Sequence, residues 1–240
     1  MGVCFRRLPA HPNLASPPES EAELLRRAEA LAGRSLGAIA AELNEAVPEG
    51  LLRAKGWVGC LLERALGATA KSRATPDFEA LGVELKSLPV DRRGQPLETT
   101  FVCTINLLDV GATEWASSRV FHKLQRVLWI PVLAERAIPV GERIVGSPLL
   151  WSPSAREEQQ LRWDWEELAG LIGRGDVDTV TGHLGEVLQV RPKARNARSR
   201  RRACDSEGRV VEVLPRGFYL RPSFTARILR ERLALPGGRG

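Results

Sequence analysis

Residues 76–86 read Pro-Asp-Phe-Glu-Ala-Leu-Gly-Val-Glu-Leu-Lys, an apolar–polar alternation that ends on an acid and a lysine. Successive side chains of a strand point to opposite faces. Val83 and Leu85 are therefore expected to face a core, and Glu84 and Lys86 to share the other face. An acid and an ammonium two residues apart on one face of a strand form a candidate site, and an acid-x-lysine pattern occurs only here in the chain.

A second acid, Asp77, enters this patch from the preceding segment, and Gly82 can supply the turn between them. Two carboxylates and one ammonium can hold a hard cation and orient a water molecule beside it. The stretch therefore predicts metal-dependent hydrolysis of phosphodiesters. The alternative is that these charges form only the solvated face of an amphipathic strand.

The use of lysine favours the chemical interpretation. Of the 35 basic residues only five are lysine: Lys55, Lys71, Lys86, Lys123 and Lys193. Arginine supplies the general positive charge, so a lysine marks a position where a compact ammonium is wanted.

Composition bounds the remaining possibilities. The 35 basic and 29 acidic residues give a net charge of +6 and an isoelectric point near 9.6, which suits an anionic partner such as nucleic acid or a membrane surface. The sequence has no apolar run of about 18 residues and no apolar segment typical of a secretory signal near its start. The four cysteines are scattered without a C-x-x-C pair, which argues against a zinc site. We expect a cytoplasmic protein that does not span a membrane.

Periodicity places the remaining elements. Helical spacing predicts helices at residues 16–33, 35–43, 55–67, 120–125, 157–172 and 223–233. Strand-like runs occur at 99–105, 126–133 and 187–190, and a hairpin is predicted from 208–214 and 217–220. Pro131 is expected to interrupt or end its strand. The arginine-rich tract through Arg202 is either a solvated loop or a contact to phosphates.

Several blocks together carry a family resemblance: residues 55–59, 77–86, 96–103, 122–124, 126–132, 146–153, 191–193 and 214–220. In this order they resemble the MutH family, the strand-discriminating endonucleases of methyl-directed DNA mismatch repair. The resemblance covers residues 16–233. The tract after Lys193 is richer in arginine than the family pattern.

The resemblance implies a mixed α/β fold of the restriction-endonuclease-like class, with a mixed sheet flanked by helices. It implies one nuclease domain at 16–233, shaped as a clamp of two lobes. The first lobe, about 16–115, is expected to carry the metal site, and the second, about 116–233, the DNA-reading elements. Residues 1–15 and 234–240 are expected to be a flexible lead and tail.

The resemblance also implies the catalytic set. Asp77 and Glu84 are expected to hold Mg²⁺, with Mn²⁺ as a substitute. Glu63 reaches in from its helix, and the carbonyl of Leu85 is a further candidate ligand. Lys86 is expected to orient or deprotonate the attacking water. The expected product is a nick with a 5′-phosphate and a 3′-hydroxyl.

The DNA-binding residues implied by the resemblance are Lys55, Phe101, Lys123, Arg191, Pro192, Lys193 and Tyr219. Residues 191–193 and Tyr219 are expected to read the sequence GATC and its adenine methylation. Phe101 is expected to wedge against bases. Lys55 and Lys123 are expected to contact the DNA backbone.

The implied partners are double-stranded DNA with GATC sites, MutL as activator and, indirectly, MutS, for a protein that acts as a monomer. Two alternatives stay open at this point. One is a restriction endonuclease that cuts both strands of GATC. The other is a reader of GATC methylation with an inactive metal site, against which the intact Asp77, Glu84 and Lys86 argue.

Overall fold

A three-stranded sheet of order β1–β3–β4 forms the centre of the computed structural model, which describes residues 15–50, 56–70, 75–194, 196 and 198–233. Strand β1 (Glu84–Val90) runs parallel to β3 (Val127–Leu133), and β4 (Leu149–Trp151) runs antiparallel to β3. The other described strands are β2 (Thr100–Thr104), β5 (Leu188–Pro192), β6 (Arg201–Cys204), β7 (Val210–Val213) and β8 (Arg216–Leu220). Strands β2, β8 and β5 form a second sheet in that order, and β6 pairs with β7.

Six α-helices lie within the described residues: α1 (Glu21–Glu29), α2 (Leu36–Glu42), α3 (Trp57–Leu66), α4 (Arg119–Leu124), α5 (Ala155–Gly173) and α6 (Pro222–Leu233). Four of them begin after a serine whose hydroxyl accepts a backbone N–H of the first turn: Ser20, Ser35, Ser118 and Ser154. Such caps satisfy donors that a helix start leaves free.

Strand β3 separates two hydrophobic clusters because its side chains alternate between the two faces of the central sheet. Leu128, Ile130 and Val132 join a cluster built on α1, α2 and α3. Val127 and Trp129 face the cluster that contains α5 and the second sheet. Nearly every side chain of β3 is therefore buried, as the continuous apolar run predicts.

The predicted alternation of β1 is confirmed. Val83 and Leu85 are 0% and 5% exposed and belong to the helical cluster. Glu84 and Lys86 lie on the opposite face, joined by an ion pair.

The predicted break at Pro131 is wrong, because β3 continues through it to Leu133. The N–H and C=O of one strand residue point to the same neighbour. The Pro131 carbonyl accepts the N–H of Gly146, so its missing N–H also faces that side, away from β1. The proline thus removes no hydrogen bond between β1 and β3, and the sheet tolerates it.

The predicted hairpin is also wrong in its partners. Strand β7 pairs with β6 around a turn at residues 205–208, whereas β8 pairs with β2 and β5. The carboxylate of Asp205 accepts the N–H groups of Glu207 and Arg209, which fixes that turn locally. Arg201 and Arg202 consequently lie on a strand and not in the loop that was one interpretation of the basic tract.

The packing does not follow a division near residue 115, because each hydrophobic cluster contains residues from both sides of it. The division into two lobes stays a prediction. Apart from Ala15, the expected lead and tail lie outside the described residues. Within the described part of the chain, no helix has the length and apolar character needed to cross a bilayer.

The segment before β5 is held by one buried carboxylate. Asp164 of α5, 7% exposed, accepts the backbone N–H groups of Glu186, Val187 and Leu188 at 2.9, 2.6 and 2.7 Å. Arg221 donates from the other side to the carbonyls of Gly182, Leu184 and Gly185. Together these two side chains fix where β5 begins.

Asp164→Ala is expected to lower the free energy of unfolding by about 2–4 kcal/mol, because it leaves buried N–H groups without acceptors. Chemical denaturation measures this loss. Glu167→Ala, an exposed acid of the same helix, is the matched control and is expected to change stability by less than about 0.5 kcal/mol. Equal losses in the two variants would contradict this role of Asp164.

Candidate active site

Glu84, the first residue of β1, has a buried carboxylate, and each of its two oxygens forms an ion pair with a lysine. Its exposed fraction is 3%. Lys86 Nζ lies 2.5 Å from Glu84 Oε1, and Lys123 Nζ lies 2.7 Å from Oε2. Lys123 also donates to the carbonyl of Thr75 at 2.7 Å. Burial of this charge is possible because both oxygens are paired.

Asp77 is positioned over the same end of β1 by a tight turn. Phe78 and Val83 exchange backbone hydrogen bonds, and Gly82 closes the turn at φ +66°, where a side chain is strained. The N–H of Leu85 then donates to Asp77 Oδ2 at 2.8 Å. The predicted convergence of Asp77 with Glu84 and Lys86 is therefore what the local geometry produces.

The carbonyl of Leu85 points to the Asp77 side of the strand. Because β1 is an edge strand, one side faces β3, and no described strand pairs with the other side at Leu85. The Glu84 N–H donates to the carbonyl of Arg126 at the start of β3, so the backbone groups of Leu85 point away from β3. Leu85 thus presents an oxygen where the two carboxylates meet.

Burial, followed by repulsion from Glu84, raises the pKa of the Asp77 and Glu63 carboxyls. Burial, with Glu84's charge second, raises the pKa of Asp77 to about 6, against lowering by the Leu85 N–H and by Lys86. Burial and then Glu84 likewise raise the pKa of Glu63, which lies on α3, while Lys86 and Lys123 oppose that rise. Glu63 therefore lies within electrostatic reach of the cluster.

This donor set fits a hard divalent cation. Mg²⁺ is commonly bound by one or two carboxylates with water completing the shell, and a carbonyl oxygen is also a suitable ligand. A cation between Asp77 and Glu84 relieves the repulsion that raises the pKa of Asp77. As the described side chains stand, no three His, Cys, Asp or Glu residues are close enough to ligate one ion together. Asp77, Glu84 and the Leu85 carbonyl thus form the ligand set that the geometry supports.

Lys123, for which the resemblance implies a contact to the DNA backbone, lies in the carboxylate cluster, and the DNA contact stays a prediction. Its side chain is only 9% exposed and its ammonium is held by Glu84 and Thr75. Helix α4 brings it there across 39 residues of sequence from Glu84. The scarcity of lysine singles it out, but no local spacing connects it to the acids.

The second sheet assembles four of the predicted DNA-binding residues. Phe101 of β2 pairs in register with Tyr219 of β8, and their ring centroids are 5.3 Å apart. Lys193 Nζ lies 4.1 Å from the centroid of the Phe101 ring. Arg191 of β5 pairs with Gly217 of β8, so the strands that carry Arg191 and Tyr219 are neighbours.

A hydrogen bond and a glycine position this group. Arg191 Nη1 donates to Thr99 Oγ1 at 3.4 Å. A Cβ on Gly217 would lie 2.9 Å from the Phe101 ring, so the glycine leaves room for that ring over β8. Pro192 is exposed at the end of β5, opposite Arg216. Lys55 lies outside the described residues.

The chain is similar to known proteins along nearly its whole length. The family model described as "MutH: DNA mismatch repair enzyme MutH" matches residues 66–164. A "DNA mismatch repair protein MutH" of Klebsiella pneumoniae is 54% identical over 95% of this chain and 99% of that protein. The proteins of that name from Haemophilus ducreyi and Escherichia coli K12 are each 53% identical, over 92% and 90% of this chain and 97% and 94% of their own lengths.

Asp77→Asn is expected to stabilise the metal-free protein increasingly as pH rises from about 4 to 7. The pKa of Asp77 is about 6 in the folded protein against an ordinary value of 3.8, so folding favours its protonated form. That contribution is complete below about pH 4 and is lost as pH rises through about 6, up to about 3 kcal/mol. Asparagine keeps the acceptor for the Leu85 N–H.

Chemical denaturation in the presence of a chelator, at several pH values, measures the difference between the variant and the wild type. Asp178→Asn, at a side chain that is 94% exposed, is the control. A difference between Asp77→Asn and wild type that does not change with pH would contradict the account of this site.

Proposed function

Because the chain belongs to the MutH family of DNA mismatch repair endonucleases, we propose that it nicks the unmethylated strand of hemimethylated GATC sites with Mg²⁺ as cofactor. The family has a restriction-endonuclease-like fold, here the central mixed sheet and its flanking helices. As a member of this family the protein is a nuclease and therefore a hydrolase. The metal, the sequence and the strand preference are the proposal.

The observation that carries the proposal is that Asp77, bound by the Leu85 N–H, and Glu84, bound by Lys86, lie together at the start of β1. Asp77, Glu84 and the Leu85 carbonyl are the ligands for Mg²⁺, and Glu63 assists from α3. When bound, the ion polarises the phosphate and lowers the pKa of a bound water. Mn²⁺ has the same preference for oxygen ligands and is a plausible substitute.

The protein's own groups then complete the reaction. As an ammonium, Lys86 orients the attacking water and steadies negative charge that develops on the phosphate. In its neutral amine form it would instead accept the proton of that water. Lys123 holds the second oxygen of Glu84 and so fixes the direction of that carboxylate. Attack of water on phosphorus with departure of the 3′-oxygen leaves a 5′-phosphate and a 3′-hydroxyl.

The second sheet supplies recognition. Arg191 and Lys193 carry the charge and the donor geometry that read guanine edges in the major groove. Phe101 is proposed to wedge against bases, and Pro192 lies beside them at the end of β5. The ring of Tyr219 is positioned by Phe101 to detect an N6-methyl group on adenine by shape.

We propose double-stranded DNA as the substrate and MutL as the activator, once MutS has found a mismatch. Weak nicking by this protein alone and stronger nicking with MutL are the corresponding expectation.

Glu84→Ala is expected to lower nicking of a hemimethylated GATC plasmid in Mg²⁺ by roughly 10³-fold, since a bound metal contributes several kcal/mol to the transition state. Glu114→Ala, at an exposed acid, is the control and is expected to nick normally. Mapping of the nick on each strand gives the specificity. Nicking that survives Glu84→Ala would contradict the assignment of the metal site.

The same assay separates the alternatives. Cleavage of both strands of unmethylated GATC in one event would make the protein a restriction endonuclease of this fold. Binding of GATC without cleavage, even with MutL present, would make it a reader of methylation.

Tyr219→Ala is expected to reduce the preference for unmethylated over methylated adenine by about tenfold, because discrimination of a single carbon group by an apolar contact is worth roughly 1–3 kcal/mol. Nicking rates on unmethylated, hemimethylated and fully methylated duplexes measure the preference. An unchanged ratio of rates would place methyl detection elsewhere.

A further inference from the structure

Arg119, the first residue of α4, lies one helical turn before Lys123. Residues four apart in a helix lie on the same face, so Arg119 lies on the face of α4 that carries Lys123, the lysine bound to Glu84. Arg119 is exposed, in contrast to the buried Lys123. Its Nη1 donates to Thr104 Oγ1 at 3.3 Å, which places the guanidinium against β2.

The contact to Thr104 brings the guanidinium to the second sheet, for which DNA recognition is proposed. Thr104 pairs in register with Gly217, and the ring of Phe101 lies over that glycine. Arg119 therefore lies next to the group formed by Phe101, Lys193 and Tyr219.

The same guanidinium is also near the catalytic cluster. Cys103, which precedes Thr104 on β2, is buried at 4% exposure. Burial raises the pKa of its thiol to about 11, and the charges of Arg119, Lys86 and Lys123 act against that rise. Arg119 is thus linked to both groups, because it lies one helical turn from Lys123 and is hydrogen-bonded to Thr104 of the second sheet.

The charge of Arg119 has no acidic partner in the part of the chain that the structure describes. Among the described residues no carboxylate lies within ion-pair distance of it, whereas Arg126, on the same segment, is paired with Glu21. The hydrogen bond to Thr104 occupies one of the five N–H donors of a guanidinium. The remaining donors form a planar fork that matches the oxygens of a phosphate.

We propose that Arg119 binds a backbone phosphate of the DNA between the bases read by the second sheet and the phosphodiester hydrolysed at Glu84. DNA that reaches both sites must carry its backbone across this position. The contact fixes the spacing between recognition and cleavage. The inference rests on the proposed endonuclease function and adds a residue to its DNA-binding surface.

The test is equilibrium binding to a GATC duplex without divalent metal, over a series of salt concentrations, so that cleavage plays no part. Arg119→Ala is expected to weaken binding roughly tenfold at low salt and to lower the slope of log K against log salt by about 0.9, the value for one phosphate contact. Arg119→Lys keeps the charge and is expected to keep the slope. Thr104→Val removes the hydrogen bond but not the charge, and is also expected to keep it.

Arg136→Ala is the matched control. This exposed arginine follows β3, at the end of the central sheet opposite to Glu84, and has no carboxylate within ion-pair distance among the described residues. It is expected to bind DNA with the affinity and the salt slope of the wild type.

A second measurement locates the phosphate. Duplexes with one neutral methylphosphonate at successive positions are bound by the wild type and by Arg119→Ala. At one phosphate beside the GATC bases, neutralisation is expected to weaken the wild type and to leave the variant unchanged. An unchanged salt slope in Arg119→Ala, or losses that add at every position, would overturn the proposal.

Binding to a duplex in which the GATC sequence is scrambled distinguishes failure of this proposal from failure of the proposed function. Loss of the GATC preference in the wild type would count against the proposed recognition. A slope difference for Arg119→Ala on both duplexes would still uphold the phosphate contact.

Discussion

The structure depends on a buried carboxylate whose charge must be compensated. Glu84 is 3% exposed, and both of its oxygens are held by ammonium groups, one from its own strand and one from a helix distant in sequence. Removing such a charge from water is costly unless it is paired. Because β1 is the edge strand, the backbone N–H of Leu85 points away from β3 and donates to the Asp77 carboxylate at this point. A site that gathers acids against their mutual repulsion is suited to accept a cation.

The residues proposed for recognition and those proposed for hydrolysis lie on different sheets, and β2 carries residues near each group. Phe101 belongs to the reading group, while the thiol of Cys103 two residues later is within reach of the charges of Lys86 and Glu84. A register shift in the pairing of β2 with β8 falls between these two residues. Such an irregularity changes the direction of side chains locally. On the proposed function, the spacing between base reading and cleavage depends on these few residues of β2.

Local patterns in the sequence predict much of this arrangement. Alternation places Glu84 and Lys86 on one face of β1, and the resemblance groups Arg191 with Tyr219, whose strands are neighbours. Interactions between distant segments are not visible in such patterns. Lys123 reaches Glu84 only through the packing of α4, and Asp164 holds β5 through backbone groups that carry no sequence signal. The strand partners of β7 and β8, and the tolerance of Pro131, likewise depend on which neighbour each strand meets.

The most direct test of the central claim is anomalous X-ray diffraction from crystals of the protein soaked in Mn²⁺. The account predicts one strong manganese peak bounded by the Asp77 and Glu84 carboxylates and the Leu85 carbonyl, with Lys86 displaced from Glu84, and no such peak in Glu84→Ala. A fully occupied manganese site elsewhere, with Glu84 still bound by both lysines, would contradict it.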